Sequence, residues 1–217
     1  MFVKICGTTS EDDALIAVAM GADAVGFVFA PSPRQIAPQL AADIVKRLPT
    51  QILTVGVFRD EAPTRVVEIC QSAGLRAAQL HGRESAEEAR WVRARIPTVI
   101  KAFPAGAASL SRARDFGVDA VLLDSPDPGS GQVFDWAFAQ EAPVGQRVII
   151  AGGLHAGNVA GAIARTGAWG VDVVSGVEAS PGRKDPVKLR EFVAAARAAA
   201  PARHQPEGDG PYDWQDE

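Results

Sequence analysis

Arg147-Val-Ile-Ile-Ala-Gly-Gly-Leu154 and Gly167-Ala-Trp-Gly-Val-Asp-Val-Val-Ser-Gly176 are two apolar runs, close together near the end of the chain, and each breaks off at glycine. Glycine lets backbone N–H groups approach an anion with no side chain in the way, so the pair reads as a phosphate cup. The first run gives way to a helix starting near residue 157 or 158, the second to a Gly-rich loop and a short helix. A (β/α)8 barrel keeps its phosphate site at two such strand ends late in the chain.

The rest of the sequence repeats the same plan. Gly21-Ala-Asp-Ala-Val-Gly-Phe-Val-Phe29, Gly74-Leu-Arg-Ala-Ala-Gln-Leu80 and Gly117-Val-Asp-Ala-Val-Leu-Leu-Asp124 each place a glycine, a short link and an apolar run in the order seen at Gly167. The glycine reads as the left-handed residue that closes a helix before a buried parallel strand. Between these units lie continuous apolar runs at 2–5, 52–58, 98–103 and 147–151, which brings the strands to eight. Helices are expected after Ser10, over 38–48, from Pro63, from Ser85, and over 109–116, 157–166 and 186–199, with a short one at 135–140. The fold class is therefore α/β, a single-domain (β/α)8 TIM barrel over residues 1–200. No dinucleotide fingerprint follows the first strand. Residues 201–217 are polar, aperiodic and rich in Pro and Gly, and read as a disordered tail.

Composition narrows the function. The 217 residues are 47% hydrophobic, enough for one substantial core, and the net charge of −4 with scattered arginines offers no nucleic-acid stripe. Cys6 and Cys70 are too few for a disulfide scaffold, and Cys70, within a helical pattern, reads as a small buried hydrophobe. No stretch is apolar for long enough to span a membrane. The expectation is a soluble, cytoplasmic protein without nucleic-acid or membrane partners, a monomer with a dimer as the alternative. His81, His155 and His204 lack ligand spacing, so no metal site is expected.

Catalytic groups in a barrel project from the C-terminal strand ends. Cys6 closes the first strand, sharing a face with Lys4; it is either a buried apolar thiol or a reactive one. Asp124 closes the apolar run 120–123, either as a functional carboxyl or as a cap for the following loop. A cysteine and an aspartate facing each other across a dry pocket can relocate protons: a thiolate serves as base, and an aspartate serves as acid where desolvation keeps its proton on. Gln79 and His81 share the mouth end of the fourth strand, with His81 a ligand contact or a partner for a loop carbonyl. Arg34, in a Pro-stiffened loop, is either a carboxylate fork or a solvated side chain. Gly129-Ser-Gly131 is suited to a closing loop.

Taken together, Lys4-Ile-Cys-Gly-Thr8, Gly21-Ala-Asp-Ala-Val-Gly-Phe27, Val55-Gly-Val-Phe58, Gln79-Leu-His-Gly82, Leu123-Asp124, Phe134-Asp-Trp136, Gly152-Gly-Leu154, Val171-Asp172, Ser175-Gly-Val-Glu178 and Pro181-Gly182 resemble the phosphoribosylanthranilate isomerases of tryptophan biosynthesis. The resemblance runs from Val3 to about Ala196. It implies a cofactor-free Amadori rearrangement of a small phosphorylated substrate. Carried over residue by residue, Cys6 would take the C2 proton and Asp124 would protonate the ring oxygen. Arg34 would meet the anthranilate carboxylate, and the phosphate would rest on amides around Gly152, Gly153, Ser175 and Gly176; Gln79 and His81 are substrate-binding candidates from their place at the mouth. The chain departs from the family's usual pattern at Val174, Gln35 and Gln132. Two rivals are a histidine-pathway aminoaldose isomerase, for which two inward carboxylates are expected, and a barrel that binds phosphate ligands without turnover.

Overall fold

Eight parallel strands close on themselves in the computed structural model, which describes residues 1–125 and 136–200. They are β1 (Phe2–Ile5), β2 (Ala24–Val28), β3 (Leu53–Phe58), β4 (Ala77–Leu80), β5 (Thr98–Pro104), β6 (Ala120–Asp124), β7 (Val148–Ile150) and β8 (Gly170–Val173). Each pairs with its sequence neighbours, and the seam is closed by β1 on β8, with Lys4 opposite Asp172 and Ile5 opposite Val173. The expected single-domain barrel is thus the fold. The 129–131 loop, Gln132, Phe134-Asp135 and the 201–217 tail lie outside the described residues.

The α-helices are α1 (Glu11–Ala19), α2 (Pro38–Val45), α3 (Pro63–Ala73), α4 (Ala86–Arg93), α5 (Val159–Thr166) and α6 (Pro186–Ala198). Local chemistry explains their ends. Ser10 accepts the Asp13 N–H, and Ser85 forms a full capping box with Glu88. Gly74, Gly117 and Gly167 take the left-handed conformation expected of them as helix-closing residues. The helix expected over 109–116 is instead a 3-10 segment, Ala108–Phe116, kinked at Arg112. Its buried residues, Leu110 and Ala113, are spaced by three, the repeat of a 3-10 turn. Trp136–Glu141 is also 3-10, and a small hairpin, β9 (Glu178–Ser180) with β10 (Arg183–Lys184), was not foreshadowed by any alternation in the sequence. Among the described residues no helix is long and apolar enough to cross a membrane.

Strand alternation builds two cores. Outward side chains such as Val3, Ile5, Val121 and Leu123 pack under the helices. Inward side chains Phe2, Leu53, Val55, Ile100, Leu122, Ile149 and Trp169 fill the barrel interior, with Phe2 stacked on Trp169 at 4.6 Å between ring centroids. This plug closes the N-terminal end. Farther along the same strands the inward positions turn polar, with Lys4 and Cys6 on β1, Gln79 on β4, Asp124 on β6 and Asp172 on β8, all buried. The change from apolar to polar along single strands sets the floor of the site.

Candidate active site

A cavity of about 350 Å³ opens at the C-terminal strand ends, and Cys6, Arg34, Gln79, His81, Asp124 and Asp172 all line it. Its floor begins with β1. Because Lys4 and Cys6 are two residues apart, both point inward; Lys4 Nζ lies 3.0 Å from Asp172 Oδ1, both groups being buried. The thiol occupies space left by Gly26 on β2. A Cβ at Gly26 would stand 2.6 Å from Cys6 Sγ and 3.1 Å from Lys4 Nζ, so glycine there is what allows the two side chains to converge. Burial pushes the Cys6 thiol up, opposed chiefly by the Lys4 ammonium. Burial likewise raises Asp172, against the pull of Lys4. Lys4 itself is driven down by burial but held above its ordinary value by Asp172 and Cys6. Cys70, buried in α3 with no partner charge, is pushed up to about 12, in keeping with a packing role.

Asp124 answers both readings offered for it. Oδ1 accepts the Ser125 N–H at 2.8 Å and so caps the outgoing loop, while Oδ2 faces the mouth, 3.2 Å from His81 Nε2. That His81–Asp124 approach is close but not aligned as a hydrogen bond, and among the described residues His81 Nε2 has no such partner. The other ring nitrogen, Nδ1, is 2.8 Å from the Gln79 side-chain amide. Gln79, His81 and Asp124 therefore form one chain of contacts along the rim, and among the described residues His81 meets side chains and not a loop carbonyl.

Arg34 presents its guanidinium fork to a carboxylate, and that carboxylate belongs to the protein. Nε donates to Glu178 Oε1 and Nη2 to Oε2, both at 2.8 Å. Glu178 also takes Lys184 Nζ at 3.3 Å and the Gly182 N–H at 3.2 Å. Burial alone would raise Glu178, but Arg34 and Lys184 together hold it below the carboxylate range. Lys184 Nζ donates further to the Cys6 carbonyl at 2.6 Å and the Val174 carbonyl, tying the ends of β1 and β8 together. Gln35 donates to the Phe29 carbonyl and serves its own loop.

The anion cup stands beside these groups. Gly152 and Gly153 have φ of 75° and 64°, and with Val174 and Ser175 they line the cavity. Among the described residues no acceptor takes the Gly152 or Gly153 N–H. Gly176 is not a lining residue. A Cβ there would lie 1.9 Å from the Leu154 carbonyl oxygen, so Gly176 serves to bring the two glycine loops together. Gly176→Ala is expected to lower stability by about 1–3 kcal/mol through overpacking against backbone that cannot yield, read as a lower urea midpoint at unchanged slope.

Three features lay beyond the reading of the sequence: the Lys4–Asp172 pair, the Glu178 clamp and the Gly26 window. Each joins residues on different strands. The one available signal was period two, which puts Lys4 on the same face as Cys6, and Asp172 on the face opposite to Val171 and Val173. A charged residue on an inward position calls for a counter-charge.

The sequence model of the N-(5'phosphoribosyl)anthranilate (PRA) isomerase family matches residues 3–195. The N-(5'-phosphoribosyl)anthranilate isomerase of Desulforudis audaxviator is 50% identical over 204 residues, spanning 91% of this chain and 98% of that protein. The crystal structure of phosphoribosyl anthranilate isomerase from Thermus thermophilus aligns with a TM-score of 0.85 at 43% identity, covering 90% of this chain and 98% of that one. A structure of phosphoribosyl anthranilate isomerase in complex with reduced 1-(o-carboxyphenylamino)-1-deoxyribulose 5-phosphate aligns with a TM-score of 0.80 at 38% identity, covering 91% and 99%.

Proposed function

Because the chain belongs to the N-(5'-phosphoribosyl)anthranilate isomerase family, we propose that its barrel mouth performs that rearrangement with Cys6 as general base and Asp124 as general acid. The reaction is the conversion of N-(5'-phosphoribosyl)anthranilate to 1-(2-carboxyphenylamino)-1-deoxyribulose 5-phosphate, a step of tryptophan biosynthesis. The observation that carries the assignment is that a thiol from β1 and a carboxyl from β6 line one cavity beside an anion cup.

The chemistry fits those two groups. Proton transfer from Asp124 to the furanose oxygen lets the C1–O bond break, leaving a cationic imine at C1. The imine acidifies the C2 hydrogen, which the Cys6 thiolate removes to give the enolamine. As the enolamine becomes the ketone, C1 gains a proton while the C2 hydroxyl gives one up, and the proton on Cys6 leaves as Asp124 regains its own, so protons and electrons balance without a cofactor. For Asp124 to act first it must hold a proton. A side-chain amide can offer oxygen where it offers nitrogen, so His81 Nδ1–H can donate to Gln79. His81 Nε2 is then bare, and a small turn of the ring would align it to accept the Asp124 hydroxyl from its present 3.2 Å.

Binding follows from the same rim. The phosphate is assigned to the N–H groups of Gly152 and Gly153 with Ser175, beside the backbone of Val174. Gly176 supports this loop from behind. Arg34 keeps N–H groups beyond the two that Glu178 takes, and these meet the substrate carboxylate. The histidine-pathway alternative calls for two inward carboxylates in place of Cys plus Asp; Asp124 and Asp172 both face the cavity, but Asp172 is paired with Lys4 and the thiol of Cys6 lines the cavity as well. A monomer is the reading for the assembly, since Leu15, Leu40, Val144 and Val187, the exposed large hydrophobics among the described residues, stand on separate elements. Two reduced, buried thiols agree with a cytoplasmic location.

The test is a fluorescence assay with the substrate generated in place from anthranilate and phosphoribosyl pyrophosphate. Enzyme-dependent loss of substrate fluorescence is expected. A folded protein that binds a reduced product analogue yet gives no decay above background would leave a binding barrel.

A further inference from the structure

The charge around Cys6 is uneven. From β1 comes Lys4, from β8 Asp172, from β10 Lys184, from the loop after β2 Arg34, and from β9 Glu178; β2 itself contributes only Gly26. Across the cavity stand Asp124 and His81. On the near wall three cations, Lys4, Arg34 and Lys184, thus face two carboxylates, Asp172 and Glu178, and a thiolate at Cys6 would make the count even. Lys4 is fully buried inside the barrel, where an apolar side chain of the same length would fill the space at less desolvation cost. Its ammonium spans from Asp172 Oδ1 at 3.0 Å toward the thiol, both resting over Gly26.

We propose that Lys4, anchored by Asp172, is the positioning residue that sets the ionisation of Cys6, its ammonium stabilising the thiolate and Asp172 fixing where that ammonium points. The proposal rests on Cys6 as the base, and neither Lys4 nor Asp172 touches the reacting atoms in it. The two members of the pair act on the thiol with opposite sign. Lys4, the nearer cation, favours the thiolate; Asp172, an anion, disfavours it even as it holds Lys4 in place.

The experiment follows thiolate absorbance in the ultraviolet against pH, with Cys6→Ala as the blank; Cys70 stays silent because its pKa is about 12. Lys4→Met is expected to move the Cys6 midpoint up by roughly 1 to 3 pH units, and Asp172→Asn to move it down. The low-pH limb of kcat/KM should follow each midpoint. If loss of one charge leaves Lys4→Met unfolded, Lys4→Met/Asp172→Asn removes both, and its midpoint should still lie above that of the parent. A Cys6 midpoint that stays put or falls in Lys4→Met overturns the proposal. The base assignment is decided separately by Cys6→Ala turnover, so a failure there is distinguishable from a failure of Lys4 to move the midpoint.

Discussion

Asp124→Asn is expected to lower kcat by roughly 10²–10⁴-fold or more while leaving the barrel folded. The substitution is nearly isosteric. Asn can still accept the Ser125 N–H through its remaining oxygen, so the cap on the outgoing loop, made at 2.8 Å in the parent, survives. What disappears is the transferable proton that the proposed mechanism asks of Asp124. Since that loss is felt only in the transition state, KM should change much less than kcat. Circular dichroism and urea midpoints close to the parent's would establish that the fold is intact. A variant with parental kcat would remove Asp124 from the mechanism and shift attention to His81, its neighbour at 3.2 Å.

Cys6→Ala should bring a loss of the same order, with Cys6→Ser retaining a trace, and it differs from the first case in its pH behaviour. Burial holds the thiol up, so the proton-accepting form is the one that grows as pH rises. In the parent, kcat/KM should therefore climb with pH until Cys6 is ionised; in Cys6→Ala that limb should vanish along with most of the rate. Stability should fall only slightly, because removing one sulfur leaves a small gap at the edge of a cavity that is already open. Turnover equal to the parent's would assign the base elsewhere.

How far the chain could be read beforehand follows from the range of the contacts involved. Strand ends, helix caps and the closing glycines depend on neighbours a few residues away, and Ser10, Ser85, Gly74 and Gly167 stand where local chemistry puts them. Cys6 and Asp124 were legible for the same reason, each being a polar residue that ends an apolar run. Residues 109–116 read as a regular helix because their composition suits one; only the packing, with Leu110 and Ala113 buried, selects the tighter turn. Arg34 reads from the sequence as either a carboxylate fork or a solvated side chain, and the partner that decides it, Glu178, lies 144 residues away and carries no local mark. Gly26 resembled any strand glycine until the thiol above it gave the reason for it.

The Lys4–Asp172 bridge joins residues 168 apart, and Arg197 near the end of α6 donates to the Met1 and Gly21 carbonyls and to Asp23. The charge beside Cys6 is therefore completed only by β8, whose Asp172 follows Lys4 by 168 positions. While β8 is unpaired, Lys4 lacks its anion beside the thiol proposed as the base, and closure must wait for a long-range pairing of the slow kind. Seam formation and competence for proton transfer become a single event, and the ionisation of one cysteine can serve as a clock for barrel closure.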